Sequence, residues 1–190
     1  MKLIALLFIL LSAPALADKA VFAGGCFWCM ESDFQDLPGV TDVVSGFTGG
    51  TLKNPTYKGD HTGHYEAIEI TYDPDQISYQ QLLDNFWINI DPFDDGGQFC
   101  DRGFSYKAAL FPQNDEQAAL AQASLERAQA KFPGQEIVTP ILPASRFWPV
   151  EEYHQDYYKK NPIRYKYYRY RCGRDARLDA VWGDTRTPTK

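Results

Sequence analysis

A pair of glycines near the start of the chain predicts a corner in the fold. Gly24 and Gly25 follow the short apolar run of residues 20–23, which is typical of a strand, and they precede a helix-compatible segment that begins at Phe27. Glycine adopts positive φ at little cost, so it lets the backbone turn tightly. The sequence therefore predicts a strand-to-helix corner with Cys26 at its apex.

Two cysteines, Cys26 and Cys29, make redox chemistry possible at this corner. The first free N–H groups of a helix favour a thiolate over a thiol, so we expect the pKa of Cys26 to be lowered and its sulfur to be nucleophilic. Cys29 returns to the same helical face three residues later, where it is placed to attack a sulfur adduct on Cys26. A structural disulfide and half of a zinc site are the alternative interpretations of the pair.

The first residues have the pattern of a secretory signal peptide. Lys2 is followed by the apolar run of residues 3–11 and by the small-residue ending Ala15-Leu16-Ala17, in the order typical of such a signal. The apolar run is shorter than the ~20 residues that span a bilayer, so we expect no stable membrane insertion. We expect residues 1–17 to be removed and residues 18–190 to form a single domain, secreted across the inner membrane to the periplasm.

The charge of the chain argues against general nucleic-acid binding. The formal net charge is −6 at pH 7, whereas nucleic-acid-binding domains are usually basic. The segment from Lys159 to Arg177 differs, because it carries eight basic residues and one acid among interleaved tyrosines. Alone it would also suit RNA binding, but we interpret it as a solvated basic tail that packs its tyrosines on an acidic body.

Strand and helix signals alternate along the chain. Strands are predicted at 19–23, 40–47, 64–72, 105–111 and 136–142, and helices at 27–37, 78–90, 114–131, 151–158 and 175–182. Ser78 begins its helix with a capping-box pattern, the segment 136–142 reads as an edge strand because it contains Pro140, and an irregular basic tail opens at Pro162. No glycine-rich phosphate loop is present, so no nucleotide cofactor is implied.

Four motifs give the chain a resemblance to a known family. They are Gly25-Cys26-Phe27-Trp28, Asn54-Pro55-Thr56-Tyr57, Gly63-His64-Tyr65-Glu66-Ala67 and the run Phe147-Trp148-Pro149-Val150-Glu151-Glu152-Tyr153-His154-Gln155. In this order they resemble peptide methionine sulfoxide reductase A over nearly all of the chain after the signal. The resemblance implies a two-layer α+β sandwich with a central mixed sheet, a ferredoxin-like core and an extended C-terminal tail. It also implies reduction of the S epimer of methionine sulfoxide, free or in proteins, to methionine.

The resemblance also implies roles for the polar site residues. Cys26 would be the nucleophile that becomes a sulfenic acid, and Glu66 would be a partly buried acid that protonates the departing oxide. Tyr57 and Tyr106 would donate their hydroxyl hydrogens to that oxygen. Asp101 would orient substrate or solvent, although the residues around it depart from the commoner family sequence.

Aromatic and histidine residues receive binding or structural roles. Phe27 and Trp28 would form an apolar wall for the methyl group of the substrate. His154 matches a family position, where we expect it to pack or hydrogen-bond beside the site. His61 and His64 have no third ligand at usable spacing, so we interpret them as structural and expect no metal.

The sequence leaves the order of disulfide exchange open. Many members of the family place a resolving cysteine near the C-terminus, which Cys172 matches, whereas Cys29 replaces a more usual glycine and offers a nearer thiol. We favour Cys29 as the direct participant and Cys172 as the relay to an external reductant, slightly ahead of the reverse order. Cys100 either pairs with one of them or remains a buried thiol. The implied electron donor is a thioredoxin-like protein or a dithiol, and we expect a monomer with no bound cofactor.

Two other functions are compatible with parts of the sequence. A general extracytoplasmic thiol-disulfide oxidoreductase would use Cys26 and Cys29, but it would not need Glu66 or the two tyrosines. A non-enzymatic secreted domain held by two disulfides would leave all four thiols unreactive. The motifs beyond the first therefore favour sulfoxide reduction.

Overall fold

The structure is a computed structural model that describes residues 17–183 and 186. The signal peptide predicted at residues 1–17 therefore lies outside the described residues except for Ala17. The strands are β1 Asp18–Gly24, β2 Val40–Thr48, β3 Tyr65–Tyr72, β4 Gly97–Gln98, β5 Asp101–Arg102, β6 Ala108–Leu110 and β7 Trp148–Pro149. The helices are α1 Phe27–Phe34, α2 Tyr79–Trp87, α3 Asp115–Ala130, α4 Tyr157–Lys160, α5 Pro162–Arg171 and α6 Arg174–Trp182, with 3₁₀ turns at Phe104–Tyr106 and Glu152–His154.

A five-stranded sheet in the order β6-β1-β3-β2-β7 forms the centre of the fold. Its strand pairs are antiparallel, and a parallel bridge between Leu110 and Ile141 adds a mixed element at the β6 edge. β4 and β5 form a separate two-stranded ribbon. The predicted α+β class is confirmed. Within residues 17–183, none of the helices combines the length and hydropathy that crossing a bilayer requires.

Strand β3 lies inside the sheet and carries one face toward the helical layer. Its side chains alternate, so Ile68 and Ile70 pack in the main core with Phe22, whereas Ala67 packs on the other side of the sheet. Each fully buried Phe or Ile side chain contributes about 1.5–3 kcal/mol. Glu66 shares the face of Ile68 and Ile70 by the same alternation, which directs its carboxyl toward the start of α1.

The predicted strand-to-helix corner is confirmed. β1 ends at Gly24 and Cys26 is the N-cap residue of α1. Gly25 between them has a φ of +87°, and a Cβ added there would lie 2.6 Å from Cβ of Gln98. Both the left-handed backbone and the close approach of the ribbon therefore favour glycine at this position.

The chain beyond β6 departs from two sequence predictions. The strand predicted at 136–142 is wrong, because only Ile141 forms a bridge and Pro140 has no N–H to donate to a sheet. The helix predicted at 151–158 is interrupted, since Asp156 adopts a φ of +53° between the 3₁₀ turn and α4. The residues near the site therefore follow a less regular path than their periodicity predicts.

The prediction of an irregular tail after Pro162 is wrong before residue 174, whereas the helix predicted at 175–182 is confirmed by α6. This segment forms α5 and α6, and Pro162 occupies the first turn of α5, where a missing N–H costs no intrahelical hydrogen bond. Tyr165 of α5 and Leu178 of α6 are buried against the rest of the molecule. The C-terminal helices therefore cover the end of α1 on which Cys26 lies.

Candidate active site

Cys26 lies under a cover of aromatic side chains. The residue is only 6% exposed, and it packs in a cluster with Cys29, Tyr157 and Tyr165. Tyr168 of α5 packs on the same cluster, and its hydroxyl is a hydrogen-bond partner of the Cys26 sulfur. Cys26 and Cys29 are both free thiols that hydrogen-bond each other, which agrees with their predicted proximity.

The predicted lowering of the Cys26 pKa is wrong for this state. Burial raises the pKa of Cys26 well above its usual value, and Cys29 and Glu66 raise it further. The N–H of Phe27, at the start of α1, donates to Oε2 of Glu66 at 3.1 Å and is not free for the sulfur. The hydrogen bond from Cys26 and the positive charge of Arg174 instead lower the pKa of Cys29. The Cys26 sulfur therefore holds a proton that must leave before or during any attack.

Glu66 lies directly beside this thiol and is 1% exposed. Burial raises its pKa to about 8, against the hydrogen bond from the N–H of Phe27, and the nearby Asp101 raises it further. A carboxyl with that pKa keeps its proton at neutral pH, as a general acid requires. The expectation of a raised pKa at Glu66 is therefore confirmed.

Two tyrosines bring hydroxyl groups to the same carboxyl. Tyr57 lies in the loop before β3, where its N–H donates to Oε2 of Glu151 at 3.3 Å, and Tyr106 ends a 3₁₀ turn and hydrogen-bonds Glu66. Burial, with the nearby charge of Glu66, raises the pKa of Tyr57 to about 12 and the pKa of Tyr106 also. Both hydroxyls therefore retain the hydrogen that a donor needs.

Phe27 and Trp28, which are expected to contact the substrate methyl group, pack against other aromatic side chains. Phe27 is buried, with its ring centroid 6.0 Å from Tyr57 and 5.4 Å from His154. Trp28 stacks on Tyr157 with centroids 3.7 Å apart, and its Nε1 donates to Nδ1 of His154 at 3.0 Å. His154 therefore hydrogen-bonds beside the site, as the sequence predicts.

Asp101 is linked to the Cys26 sulfur through one intervening residue, Tyr168. Tyr168 donates a short hydrogen bond to Oδ2 of Asp101, and burial raises the pKa of this carboxyl. The sequence reasoning did not single out Tyr168, because it lies in the segment interpreted as a solvated tail. The signal that would have found it is the helical spacing of Tyr165, Tyr168, Arg169 and Cys172, which defines one inward face.

Cys100 and Cys172 form a disulfide with their Cα atoms 4.9 Å apart. Of the alternatives left open for Cys100, pairing with Cys172 is the one found. Cys100 is exposed and Cys172 partly exposed, whereas the thiols of Cys26 and Cys29 are buried. The two couples therefore differ both in oxidation state and in their access to a partner protein.

His61 and His64 have hydrogen bonds within their own loop. Nε2 of His64 is 2.9 Å from the carbonyl oxygen of Leu52, and Nδ1 of His61 is 3.1 Å from that of Thr56. His61 also stacks on Phe47. These contacts support the structural interpretation of both histidines.

A buried ion-pair network next to Cys29 was missed by the sequence reasoning. Asp33, one turn beyond Cys29 on α1, binds Nη1 of Arg169 at 2.7 Å and Nη2 of Arg174 at 3.4 Å. Arg174 also lies over the ring of Phe99 at 4.5 Å. The network ties α5 and α6 to α1 and supplies the positive charge that acts on Cys29.

A buried thiol couple beside a protonated carboxyl is an arrangement of thiol-dependent oxidoreductases, and comparison with known proteins narrows this class. The peptide methionine sulfoxide reductase family model matches residues 18–186. The chain belongs to that family, and it reduces methionine sulfoxide.

Individual relatives agree over most of their length. The chain is 52% identical to peptide methionine sulfoxide reductase MsrA 2 of Caulobacter vibrioides, over 90% of this chain and 91% of that one. It is 51% identical to MsrA of Bacillus subtilis, over 87% of this chain and 96% of that one. The fold is similar to that of methionine sulfoxide reductase A of Corynebacterium diphtheriae, with a TM-score of 0.73 at 32% identity, over 80% of this chain and 77% of that one.

Proposed function

We propose that Cys26 attacks the sulfur of methionine sulfoxide while Glu66 gives its proton to the sulfoxide oxygen. The observation that carries this proposal is the buried, protonated carboxyl of Glu66, held by the N–H of Phe27 beside the Cys26 thiol. An unprotonated oxide is a very poor leaving group, so the reaction needs a proton donor at that point. Tyr57 and Tyr106, which lie against Glu66, hold the oxygen and stabilise its developing charge.

The wall of Phe27 and Trp28 supports a preference for one epimer at sulfur, which the resemblance to the family implies is the S epimer. The methyl group on sulfur is the only apolar group of the side chain beyond that atom, so it packs on the wall. The oxygen then points to the carboxyl and hydroxyl side, and the sulfur lone pair takes the remaining direction. An epimer with oxygen and lone pair exchanged loses its hydrogen bonds, so a difference in rate is expected.

Attack and collapse transfer one oxygen atom to the enzyme. A bond forms between the Cys26 sulfur and the substrate sulfur as the thiol gives its proton to a base or to solvent. The sulfoxide oxygen takes the Glu66 proton, and the hydroxyl then passes to Cys26. Methionine leaves, and Cys26 becomes a sulfenic acid. The thiol of Cys29 next attacks this sulfur and gives up its proton, and the hydroxyl leaves with this proton as water, so that a disulfide forms between Cys26 and Cys29. Their hydrogen bond and the lowered pKa of Cys29 support it as the resolving residue.

Cys100 and Cys172 suit a second couple that relays electrons. Both thiols of the first couple are buried, whereas Cys100 is exposed, and a reductant must reach a sulfur to exchange disulfides. In the relay, the dithiol of Cys100 and Cys172 reduces the first disulfide and is itself oxidised to the disulfide seen in the structure. An external dithiol then reduces Cys100 and Cys172 again.

A thioredoxin-like protein is the proposed reductant. A solved structure with a similar fold is titled Mxr1 from Saccharomyces cerevisiae in complex with Trx2, with a TM-score of 0.54 at 23% identity. The proposed steps require this external dithiol and no bound cofactor. The substrate is oxidised methionine, free or in proteins, and a monomeric protein remains a prediction.

Secretion to the periplasm is a further part of the proposal. Residues 1–17 carry the charge, apolar run and small-residue ending of a signal peptide. The mature protein would then repair oxidised proteins outside the cytoplasm. N-terminal sequencing of the protein from a periplasmic fraction is expected to start at Asp18, and an intact Met1 in a cytoplasmic fraction would contradict secretion.

The number of methionine molecules formed per chain without reductant tests both the attack by Cys26 and the electron relay through Cys100 and Cys172. Protein with all four thiols reduced, mixed with an excess of the S epimer, is expected to form two methionines per chain. Protein with the Cys100–Cys172 disulfide already formed should give one, as should fully reduced Cys172→Ser. Cys26→Ser should give none, and the R epimer should react slowly with every variant.

The outcomes separate the parts of the proposal. Product from Cys26→Ser would exclude Cys26 as the nucleophile. A bridge between Cys26 and Cys172 formed at full rate in Cys29→Ser, detected by mass mapping, would reverse the proposed order of the cysteines. A single methionine from fully reduced wild-type protein would exclude the second couple from electron transfer.

A further inference from the structure

Tyr168 places a hydroxyl group between the candidate nucleophile and a second carboxyl. The hydroxyl donates a short hydrogen bond to Oδ2 of Asp101 and is a hydrogen-bond partner of the Cys26 sulfur. Its ring meets Trp28 edge to face, with centroids 5.9 Å apart. Because a phenolic oxygen both donates and accepts, Tyr168 can accept from the Cys26 thiol while it donates to Asp101.

Two adjacent links hold this hydroxyl in place. The N–H of Cys172 donates to the carbonyl oxygen of Tyr168 at 2.9 Å, one helical turn away, and Cys172 is bonded to Cys100, the residue before Asp101. The segments that carry Tyr168 and Asp101 are therefore joined by a covalent bond next to their hydrogen bond. The disulfide and the hydrogen bond together keep the Tyr168 hydroxyl at a fixed position relative to the Asp101 carboxylate.

Glu66, Tyr57 and Tyr106 are poor acceptors for the Cys26 proton. Glu66 is itself protonated at neutral pH, because its pKa is raised to about 8. Tyr57 and Tyr106 also keep their protons, since their pKa values are raised. These three groups can supply protons to the oxide but cannot take one from the thiol. The remaining carboxyl next to the thiol is Asp101, which Tyr168 links to the Cys26 sulfur.

We propose that Tyr168 and Asp101 form a proton relay that deprotonates Cys26 as it attacks, and this proposal rests on Cys26 as the nucleophile. The Cys26 proton passes to the Tyr168 oxygen, and the Tyr168 proton passes to the Asp101 carboxylate. At the same time the Cys26 sulfur bonds to the substrate sulfur, and the oxide takes the Glu66 proton. Asp101 ends neutral and Glu66 ionised, so the total charge is unchanged, and solvent exchange restores both after methionine leaves.

The surroundings of Asp101 suit it as the final acceptor. Burial raises the pKa of Asp101, which makes its carboxylate a better base, while the hydrogen bond from Tyr168 and the positive charge of Arg174 oppose this rise. The other titratable and charged groups that act on Tyr168 or Cys26 are Cys29, Glu66, Tyr57 and Tyr106. Among the residues that the structure describes, Asp101 is the carboxyl linked to Cys26 through a single hydroxyl.

The relay predicts a characteristic pH profile for Tyr168→Phe, which removes the hydroxyl and keeps the ring on Trp28. The rate of methionine formation in a single turnover, with the Cys100–Cys172 disulfide formed, should be nearly flat below about pH 8 in wild-type protein. In Tyr168→Phe it should fall roughly 100-fold at pH 6, which is within the range for general-base catalysis. It should then rise about tenfold per pH unit, because solvent must first remove the proton.

A second variant and a control complete the test. Asp101→Asn removes the base and should show the same defect, and the double variant should be no slower than either single variant. Tyr167→Phe, on the same helix but with its side chain exposed, should keep the wild-type profile. KM should change little in Tyr168→Phe and Tyr167→Phe, because Phe27, Trp28 and Asp101 are untouched.

The proton relay would be excluded if the rate of methionine formation in Tyr168→Phe stayed as independent of pH as in wild-type protein. It would also be excluded if the rate losses of Tyr168→Phe and Asp101→Asn were additive in the double variant. A lower rate of methionine formation in Tyr168→Phe with an unchanged pH dependence would indicate that Tyr168 has only a packing role. This result would also exclude the proton relay. Failure of the underlying nucleophile assignment has a different signature, since Cys26→Ser would then still produce methionine. The two failures are therefore distinguishable in one set of assays.

Discussion

At the scale of single residues, the site depends on a carboxyl that is kept neutral by burial. Glu66 has its pKa raised to about 8 in the folded protein, whereas an unfolded chain ionises glutamate near pH 4.3. Between these values the folded state holds more protons than the unfolded state, so stability falls as pH rises. Each pH unit in this window costs about 1.4 kcal/mol, so the loss approaches roughly 4 kcal/mol at pH 7.

Glu66→Gln should therefore separate activity from stability. The glutamine oxygen can still accept the N–H of Phe27, but the side chain has no proton to give, so sulfoxide reduction should fall by about 10²–10⁴-fold. The unfolding free energy should rise relative to wild type as pH increases from about 5 to 8, because the ionisation penalty is removed. Urea unfolding at several pH values and single-turnover assays measure the two effects.

The control for this variant lies on the same strand. Glu69→Gln changes a carboxyl that pairs with Lys19 at the surface, so it should leave sulfoxide reduction unchanged. Exchange with a small disulfide should also survive in Glu66→Gln, since that reaction needs only the cysteines. Normal sulfoxide turnover by Glu66→Gln would contradict its role as the acid.

At the scale of elements, local signals predicted the structure where the stabilising contacts are local. Ser78 and Gln81 form the predicted capping box, with Ser78 N–H donating to Oε1 of Gln81 at 2.9 Å and Gln81 N–H donating to Oγ of Ser78 at 3.3 Å. The corner at Gly25 is similarly local, because its positive φ depends on the residue itself. Neighbouring residues were sufficient to predict both features.

Elements that depend on distant contacts were harder to predict. Arg169 and Arg174 were interpreted as part of a solvated basic tail. In the structure both bind Asp33, which lies more than 130 residues before them in the chain, and Arg174 is only 2% exposed. Cysteine spacing likewise does not determine a pairing, so the bond between Cys100 and Cys172 was one of several alternatives. Tyr168, the residue of the proposed proton relay, was missed for the same reason. Its partners belong to β5 and α1, which are distant in the sequence.

At the scale of the whole molecule, the Cys100–Cys172 disulfide spans 72 residues. The enclosed segment contains β5, β6, α3, β7, α4 and α5, so the bond restricts a large part of the unfolded chain. A loop of this size loses about 4 kcal/mol of conformational freedom in the unfolded state by the chain-entropy model. Because folding favours the oxidised form by this amount, the reduced couple becomes a stronger reductant for the Cys26–Cys29 disulfide.

This linkage predicts that folding stability follows the redox state of the second couple. Oxidised wild-type protein should be more stable to urea than dithiol-treated protein by about 2–4 kcal/mol. Cys100→Ser and Cys172→Ser should each resemble the dithiol-treated protein, and adding a dithiol to either should change stability little, because the first couple is already reduced. Cys29→Ser is the matched control and should keep the full response to dithiol. Equal stabilities of oxidised and reduced wild-type protein would show that the bond gives no net stabilisation, and the second couple would then lose its folding-derived reducing strength.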